Sequence, residues 1–326
     1  MPGSYKPPYY TRSAVLFLIF NRPDTTQKVF EQIRKVRPKK LYIAADGPRA
    51  NCPADVELCS KARDIMSLVD WDCEIKTSFR AENAGCKEGV SAAITWFFEQ
   101  EEEGIILEDD CVPANSFFWF CDALLEKYRY DDRVRHITGC NLQHGQKWGN
   151  GTYYFSRMTH VWGWAGWRRA WTDYDKNLSR FEKEEMMNKL RDIFDDPVVL
   201  ESYAKIFDEL KAGKIDAWGY QLDFANFFHQ GLTIIPNENL VSNIGFRADA
   251  THTHDSNSIY ADIPVTEIDQ IIYPEKMRPE KQAESVILQH VFKTRPPKNR
   301  NFNWLRKIRK KARSILKTAA ALLLFG

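Results

Sequence analysis

Nothing in this 326-residue chain approaches the roughly 20 consecutive apolar residues of a membrane-spanning helix, so no segment reads as transmembrane. The seven cysteines, at 52, 59, 73, 86, 111, 121 and 140, contain no CxxC pair and no regular spacing. A disulfide framework is thereby excluded, and reduced thiols in a cytosolic compartment are the expectation. Residues 1–10 hold no apolar signal core, which agrees with that compartment. A phosphate loop of the form GxxxxGK(S/T) is absent, and no GxGxxG follows the first apolar run. Those two absences argue against P-loop NTPases and against dinucleotide cofactors. No internal repeat occurs. Charge is uneven along the chain: residues 293–326 carry eleven Lys and Arg and no Asp or Glu, leaving 35 bases against 44 acids in residues 1–292.

What is present is the composition of a globular protein, 44% apolar and 28% charged. Its length is enough for one large domain or two small ones. Aromatic content reaches 13%, with ten Trp, a surplus that serves cores and also sugar-binding surfaces. Residues 13–20 (Ser-Ala-Val-Leu-Phe-Leu-Ile-Phe) form a continuous apolar run of strand length, as expected for a strand covered on both faces. Asn21-Arg22-Pro23-Asp24-Thr25 then starts a helix to about residue 36. Strands are expected at 41–45, 74–79 and 105–107, with helices at 54–68 and 86–101 between them. Strand and helix alternating in this way predict right-handed βαβ crossovers, a mainly parallel sheet and a Rossmann-like α/β fold. After Pro113, Asn115-Ser116 is suited to cap a helix over 117–128, and 133–139 reads as a strand. The pattern then turns irregular and aromatic through Trp162-Gly163-Trp164-Ala165-Gly166-Trp167. Charged helices are expected over 183–194 and 198–212, a helix opened by Asp216 and running to 229, a strand over 232–236, and a loop over 243–254.

The chemistry gathers at strand ends. The strand at 105–107 runs into Glu108-Asp109-Asp110, three adjacent carboxylates delivered to the carboxyl edge where open α/β sheets place ligands. Such repulsion suits a hard divalent cation held by one or two carboxylates together with substrate phosphates. A solvated acidic turn is the plain alternative. Arg22 follows the first strand and can fork onto phosphate, although Arg there is more often a surface residue. Asp46 ends the second strand, suited to accept a hydrogen bond from a base or ribose. Asn83-Ala84-Gly85-Cys86 precedes a helix whose N-terminus favours anions. Recurrence at successive strand ends is what points to a nucleotide.

With those residues quoted, the chain resembles the GT-A nucleotide-sugar glycosyltransferases, above all the N-acetylglucosaminyltransferase I type and its bacterial relatives. The resemblance rests on Asn21-Arg22-Pro23, Ala45-Asp46-Gly47, Asn83-x-Gly85 and Glu108-Asp109-Asp110, and it spans about residues 13–254. It implies that Asp110 binds Mn²⁺ (or Mg²⁺) bridging the donor diphosphate and that Asp109 reaches the ribose or sugar. It also implies that Arg22 and Asp46 contact the nucleotide. Gly163-Trp164 and Asp216-Ala217-Trp218 resemble a Gly-Trp segment and an Asp-Asp-Trp carrying the family's catalytic base. Asp216 is the matching residue, and Ala217 departs from the second Asp. Within that family a C-terminal His completes some metal shells, for which His252 is preferred here over His254.

Transfer from a nucleotide sugar expels a diphosphate that a metal ion stabilises. Direct displacement with inversion also needs a second carboxylate to take the acceptor's proton. Asp216 can be that base, a helix N-cap, or both. Trp162, Trp164 and Trp167 are either core or a sugar platform. The expected organisation is a glycosyltransferase domain over 1–292, with a nucleotide-sugar half at 11–140 and an acceptor half at 141–260. A basic amphipathic tail follows over 293–326. That tail, with Trp304, Ile308 and Ile315 among its bases, suits an anionic membrane surface more than nucleic acid. The expected partners are therefore a nucleotide-sugar donor of the UDP-sugar class, a glycan or lipid-linked acceptor, and the inner face of a membrane, with no nucleic acid. Two other readings stand beside this one. A nucleotidyltransferase making the activated sugar would bring a Gly-rich loop with a Lys near the N-terminus, which is absent. A glycan-binding protein without catalysis leaves Glu108-Asp109-Asp110 without a role.

Overall fold

A computed structural model describes residues 4–247 and 258–292. The strands are β1 (Ala14–Ile19), β2 (Lys40–Ala45), β3 (Glu74–Phe79), β4 (Glu103–Glu108), β5 (Cys111–Pro113), β6 (Val134–Thr138), β7 (Tyr153–Ser156), β8 (Trp164–Trp167), β9 (Leu232–Pro236) and β10 (Val241–Asn243). The helices are α1 (Pro23–Val36), α2 (Ala54–Arg63), α3 (Cys86–Gln100), α4 (Asn115–Tyr128), α5 (Arg168–Trp171), α6 (Lys183–Ile193), α7 (Pro197–Lys211), α8 (Gly219–Phe228) and α9 (Lys281–Phe292). Eight strands form one sheet in the order β3-β2-β1-β4-β8-β6-β9-β7. β3, β2, β1 and β4 pair in parallel, as do β6 and β9, while β8 and β7 run against their neighbours. The expected α/β class, a mainly parallel sheet flanked by helices, is the one the chain adopts.

β1 is central, and every one of its side chains is buried. Successive residues of a strand face opposite sides, so Val15, Phe17 and Ile19 join α1 and α4 in one core while Ala14, Leu16 and Leu18 join α3 in another. That double coverage is why the sequence shows an unbroken apolar run here rather than an alternation. α1 opens on Pro23, whose fixed φ and missing N–H suit a first helical position. It buries Val29, Phe30, Ile33 and Val36 along one face. α6, α7 and α8 make a third core with Met158 and Leu288.

Three sequence expectations change. The helix expected over 54–68 is α2 followed by a 3-10 turn, Asp64–Leu68. The aromatic stretch read as irregular contains β8, with Trp164 and Trp167 buried in the cores. Asn115 and Ser116 do not cap α4 but lie in its first turn, and their backbone N–H groups donate to Glu267 at 2.9 and 2.7 Å.

Candidate active site

The carboxyl ends of β1, β2, β3 and β4 open on one cavity of about 970 Å³. Arg22, Asp46, Asn83, Asp109, Asp110 and Asp216 all line it. Glu108, Arg80, Trp162, Tyr220 and Asp223 complete its polar and aromatic wall. The register puts Leu18 of β1 beside Glu108 of β4, which sets the turn after β1 against the acids.

Asp109 and Asp110 are 3% and 8% exposed. Asp109 accepts the Phe20 N–H at 3.3 Å and pairs with the Arg22 guanidinium. Asp110 lies 3.0 Å from the same guanidinium. Arg22 is therefore paired with two of the three acids and offsets part of their charge. One cation serves three carboxylates. Burial raises the Glu108 pKa above the usual carboxylate range, with Asp110 and Asp109 adding to the effect, although part of that side chain stays open to the cavity. Burial likewise pushes Asp109 up against the pull of Arg22. The main chain of Asp110 is held by the residue that follows β10: its carbonyl accepts the Ile244 N–H at 2.8 Å. A Cβ at Gly245 would overlap Asp110 Oδ2, so the glycine leaves the carboxylate its space.

These hard oxygen donors and their uncompensated charge fit a divalent ion. Among the described residues no group of three or more His, Cys, Asp and Glu is placed to hold a metal ion by itself. The acids thus suit an ion that takes one or two carboxylates and completes its shell with phosphate and water. His252 and His254 lie outside the described residues.

Asp46 closes the opposite wall. Its carboxylate accepts the Asn83 side-chain amide at 3.0 Å and the Ala84 N–H at 3.0 Å, and Asn83 also reaches the Gly47 carbonyl at 3.1 Å. β2 is thus fastened to the turn before α3. Arg80, at the end of β3, brings a guanidinium to this wall that the sequence reading passed over. A charged residue one position beyond a predicted strand was the available signal.

Asp216 does not cap the helix that follows it. α8 begins at Gly219 without a side-chain cap, and Asp216 instead accepts the Cys86 N–H at 3.0 Å and the Lys87 N–H at 2.8 Å. It caps α3 from 130 residues away, and the helix N-terminus expected to face an anion already holds this carboxylate. Gly85 makes the approach possible: its φ is +83°, and a Cβ there would stand 2.9 Å from Asp216 Oδ2. Seven positions on, Asp223 is a second carboxylate on the same wall. Its Oδ1 accepts the Thr159 hydroxyl and, at 3.2 Å, the Thr159 N–H. Burial raises its pKa to about 7, with the Thr159 bonds opposing. The sequence reading missed it, and the signal was a single charged residue in the otherwise uncharged helix Gly-Tyr-Gln-Leu-Asp-Phe-Ala-Asn-Phe-Phe. Trp162 lines the cavity and meets Phe246 edge-on at 5.5 Å, apart from its buried neighbours Trp164 and Trp167.

No family model matches the chain, and no curated protein matches it. In structure it is similar to HddC from Yersinia pseudotuberculosis, at 7% identity over 49% of this chain and 80% of that one, with a TM-score of 0.29. It is also similar to a 4-diphosphocytidyl-2C-methyl-D-erythritol synthase from Anaerococcus prevotii, at 11% identity over 67% and 96%, with a TM-score of 0.34. Likeness at these scores carries no argument, and the chemistry rests on the residues of the cavity.

Proposed function

We propose that this chain is a metal-dependent glycosyltransferase that moves a sugar from a nucleotide sugar, UDP-linked in the first instance, to a glycan or lipid-linked acceptor. The observation that carries the reading is the acid triplet at the end of β4. It is set at the floor of a nucleotide-sized cavity, and one arginine offsets only part of its charge.

In this reading Asp110, with Asp109 beside it, would hold Mn²⁺ or Mg²⁺, and Arg22 fixes the two carboxylates through its contacts to both. When bound, the ion supplies Lewis-acid stabilisation of the departing diphosphate. Asp46 and Asn83 form the wall for base and ribose. Inversion requires a carboxylate on the far side of the sugar, and the wall from Asp216 to Asp223 offers two. The basic segment 293–326 would hold the enzyme at an anionic membrane surface.

The test is a thermal-shift panel of UDP-, GDP-, CMP- and dTDP-sugars, each with Mn²⁺ and with EDTA. One nucleotide should stabilise the protein only when metal is present, and Asp110→Ala should abolish that shift. A panel without any response, or an unchanged shift in Asp110→Ala, overturns the metal-dependent reading. Removal of residues 296–326 should release the protein from phosphatidylserine vesicles while leaving the nucleotide shift intact; persistent vesicle binding would refute the role given to the tail.

A further inference from the structure

Two carboxylates besides the acid triplet line the cavity, and their surroundings differ. Asp216 is engaged at both oxygens: Oδ2 accepts the Cys86 N–H and Oδ1 the Lys87 N–H. A proton taken up there would cost one of the bonds that close the first turn of α3. Asp223 is engaged at one oxygen only. Thr159 donates twice to Oδ1 and fixes the plane of the carboxylate, and Oδ2 has no hydrogen bond among the described residues. The residue lies on α8, a rigid element, with its side chain in the cavity wall. A base held in one orientation by its neighbours, with a lone pair left over, is what proton abstraction requires.

Resting on the glycosyl-transfer reading above, we infer that Asp223, and not Asp216, is the base that receives the acceptor's proton, while Asp216 is a positioning residue that builds the α3 end of the cavity. The acceptor hydroxyl gives its proton to Asp223 Oδ2, and its oxygen bonds to the anomeric carbon. The bond from that carbon to the diphosphate breaks, and both electrons leave with the nucleotide. Burial supports the assignment, since it lifts the Asp223 carboxyl toward neutrality, where a base is both free to act and strong enough. The titratable groups around it are the phenols of Tyr220, one turn earlier on α8, and Tyr203 of α7, both raised by burial and by the Asp223 charge. No Lys, Arg or His forms an ion pair with Asp223 among the described residues, so its titration belongs to its own site.

The experiment follows nucleotide release from the full chain with Mn²⁺ and the nucleotide sugar that gives the largest thermal shift, water serving as acceptor. Asp223→Asn keeps an oxygen for Thr159 and should fold. Its kcat should fall by about 10²- to 10⁴-fold while nucleotide affinity by calorimetry changes less than about threefold. In wild type kcat/KM should rise with pH through about 7, and that limb should vanish in Asp223→Asn and persist in Asp216→Asn. Thr159→Val, which removes a donor to the carboxylate, should move the limb to higher pH. A carboxyl carbon resonance with the same midpoint should be present in wild type and missing from Asp223→Asn whether or not turnover is measured. Near-normal turnover in Asp223→Asn, or a pH limb lost with Asp216 instead, overturns the assignment and leaves glycosyl transfer standing. A wild type that releases no nucleotide from any of the four sugar classes, and shows no metal-dependent shift, overturns the reading beneath it.

Discussion

α3 and α4 begin with the same deficit and meet it in the same way. Neither helix has a side-chain cap of its own, since Gly85 and Ala114 stand at the two N-cap positions. Each borrows a carboxylate from a distant loop, Asp216 for α3 and Glu267 for α4, and each carboxylate takes two backbone N–H groups of the first turn. The ends differ in what lies beyond the cap. Asp216 lines the cavity and Glu267 does not. The backbone differs as well: Gly85 has φ +83° and ψ 168°, a region nearly closed to other residues, whereas Ala114 has an ordinary extended φ of −67°. The capping contact at the cavity end thus depends on a backbone conformation that glycine adopts and other residues rarely do, and the contact at α4 does not.

Four measurements would break or sharpen this contrast. The largest effect is common to both ends and fixes the pH range in which they can be compared. Burial holds His136 and His160 neutral, with pKa values near 4. Unfolded imidazoles take up protons near pH 6.5, so the folded state binds fewer protons than the unfolded one below that point. The contribution of the two histidines is therefore complete above pH 6.5 and is lost as pH drops toward 4, while Glu108, Asp109 and Asp223, raised by burial, work in the opposite sense over the same range. Chemical denaturation should show wild type losing stability relative to His136→Phe as pH falls from 6.5 toward 4, and a constant difference would contradict the burial of that imidazole. Next, Gly85→Ala should cost about 2–4 kcal/mol from backbone strain and the approach to Asp216, while Ala114→Gly should cost about 1 kcal/mol or less. Equal costs would remove the difference between the two ends. Third, Asp216→Ala and Glu267→Ala should each lose about 0.5–2 kcal/mol, both read by thermal unfolding. Last, among effects on the site, Asp216→Ala should change KM for the nucleotide sugar several-fold, whereas Glu267→Ala should leave it alone.

Much of the first half could be read from the sequence for a simple reason. β1, β2 and β4 are buried on both faces, so their apolar runs are continuous, and Pro23 and the strand-end acids mark where each run stops. The strand ends that carry Arg22, Asp46, Asn83 and Asp110 followed from that register. Beyond residue 140 the signals weaken. β8 is four residues long, Trp-Ala-Gly-Trp, and its strand character comes from pairing with β4 and β6 rather than from any pattern of its own. Asp216 invited a local explanation as the cap of the next helix, because a carboxylate serving a helix 130 residues earlier leaves no trace in spacing. Asp223 was passed over because an acid in an otherwise uncharged helix is conspicuous only once the cavity on that face is known.

The position of β1 has a consequence for the order in which this protein assembles. Its neighbours are β2, the next strand in the chain, and β4, which begins about 90 residues later. Arg22 cannot meet Asp109 and Asp110 until that second, non-local pairing has closed, and closures of such length are slow. During refolding, far-UV helical signal should therefore return before the metal-dependent response to nucleotide. Acquisition of ligand binding would report the docking of β4 onto β1, a late event on the path to the native state.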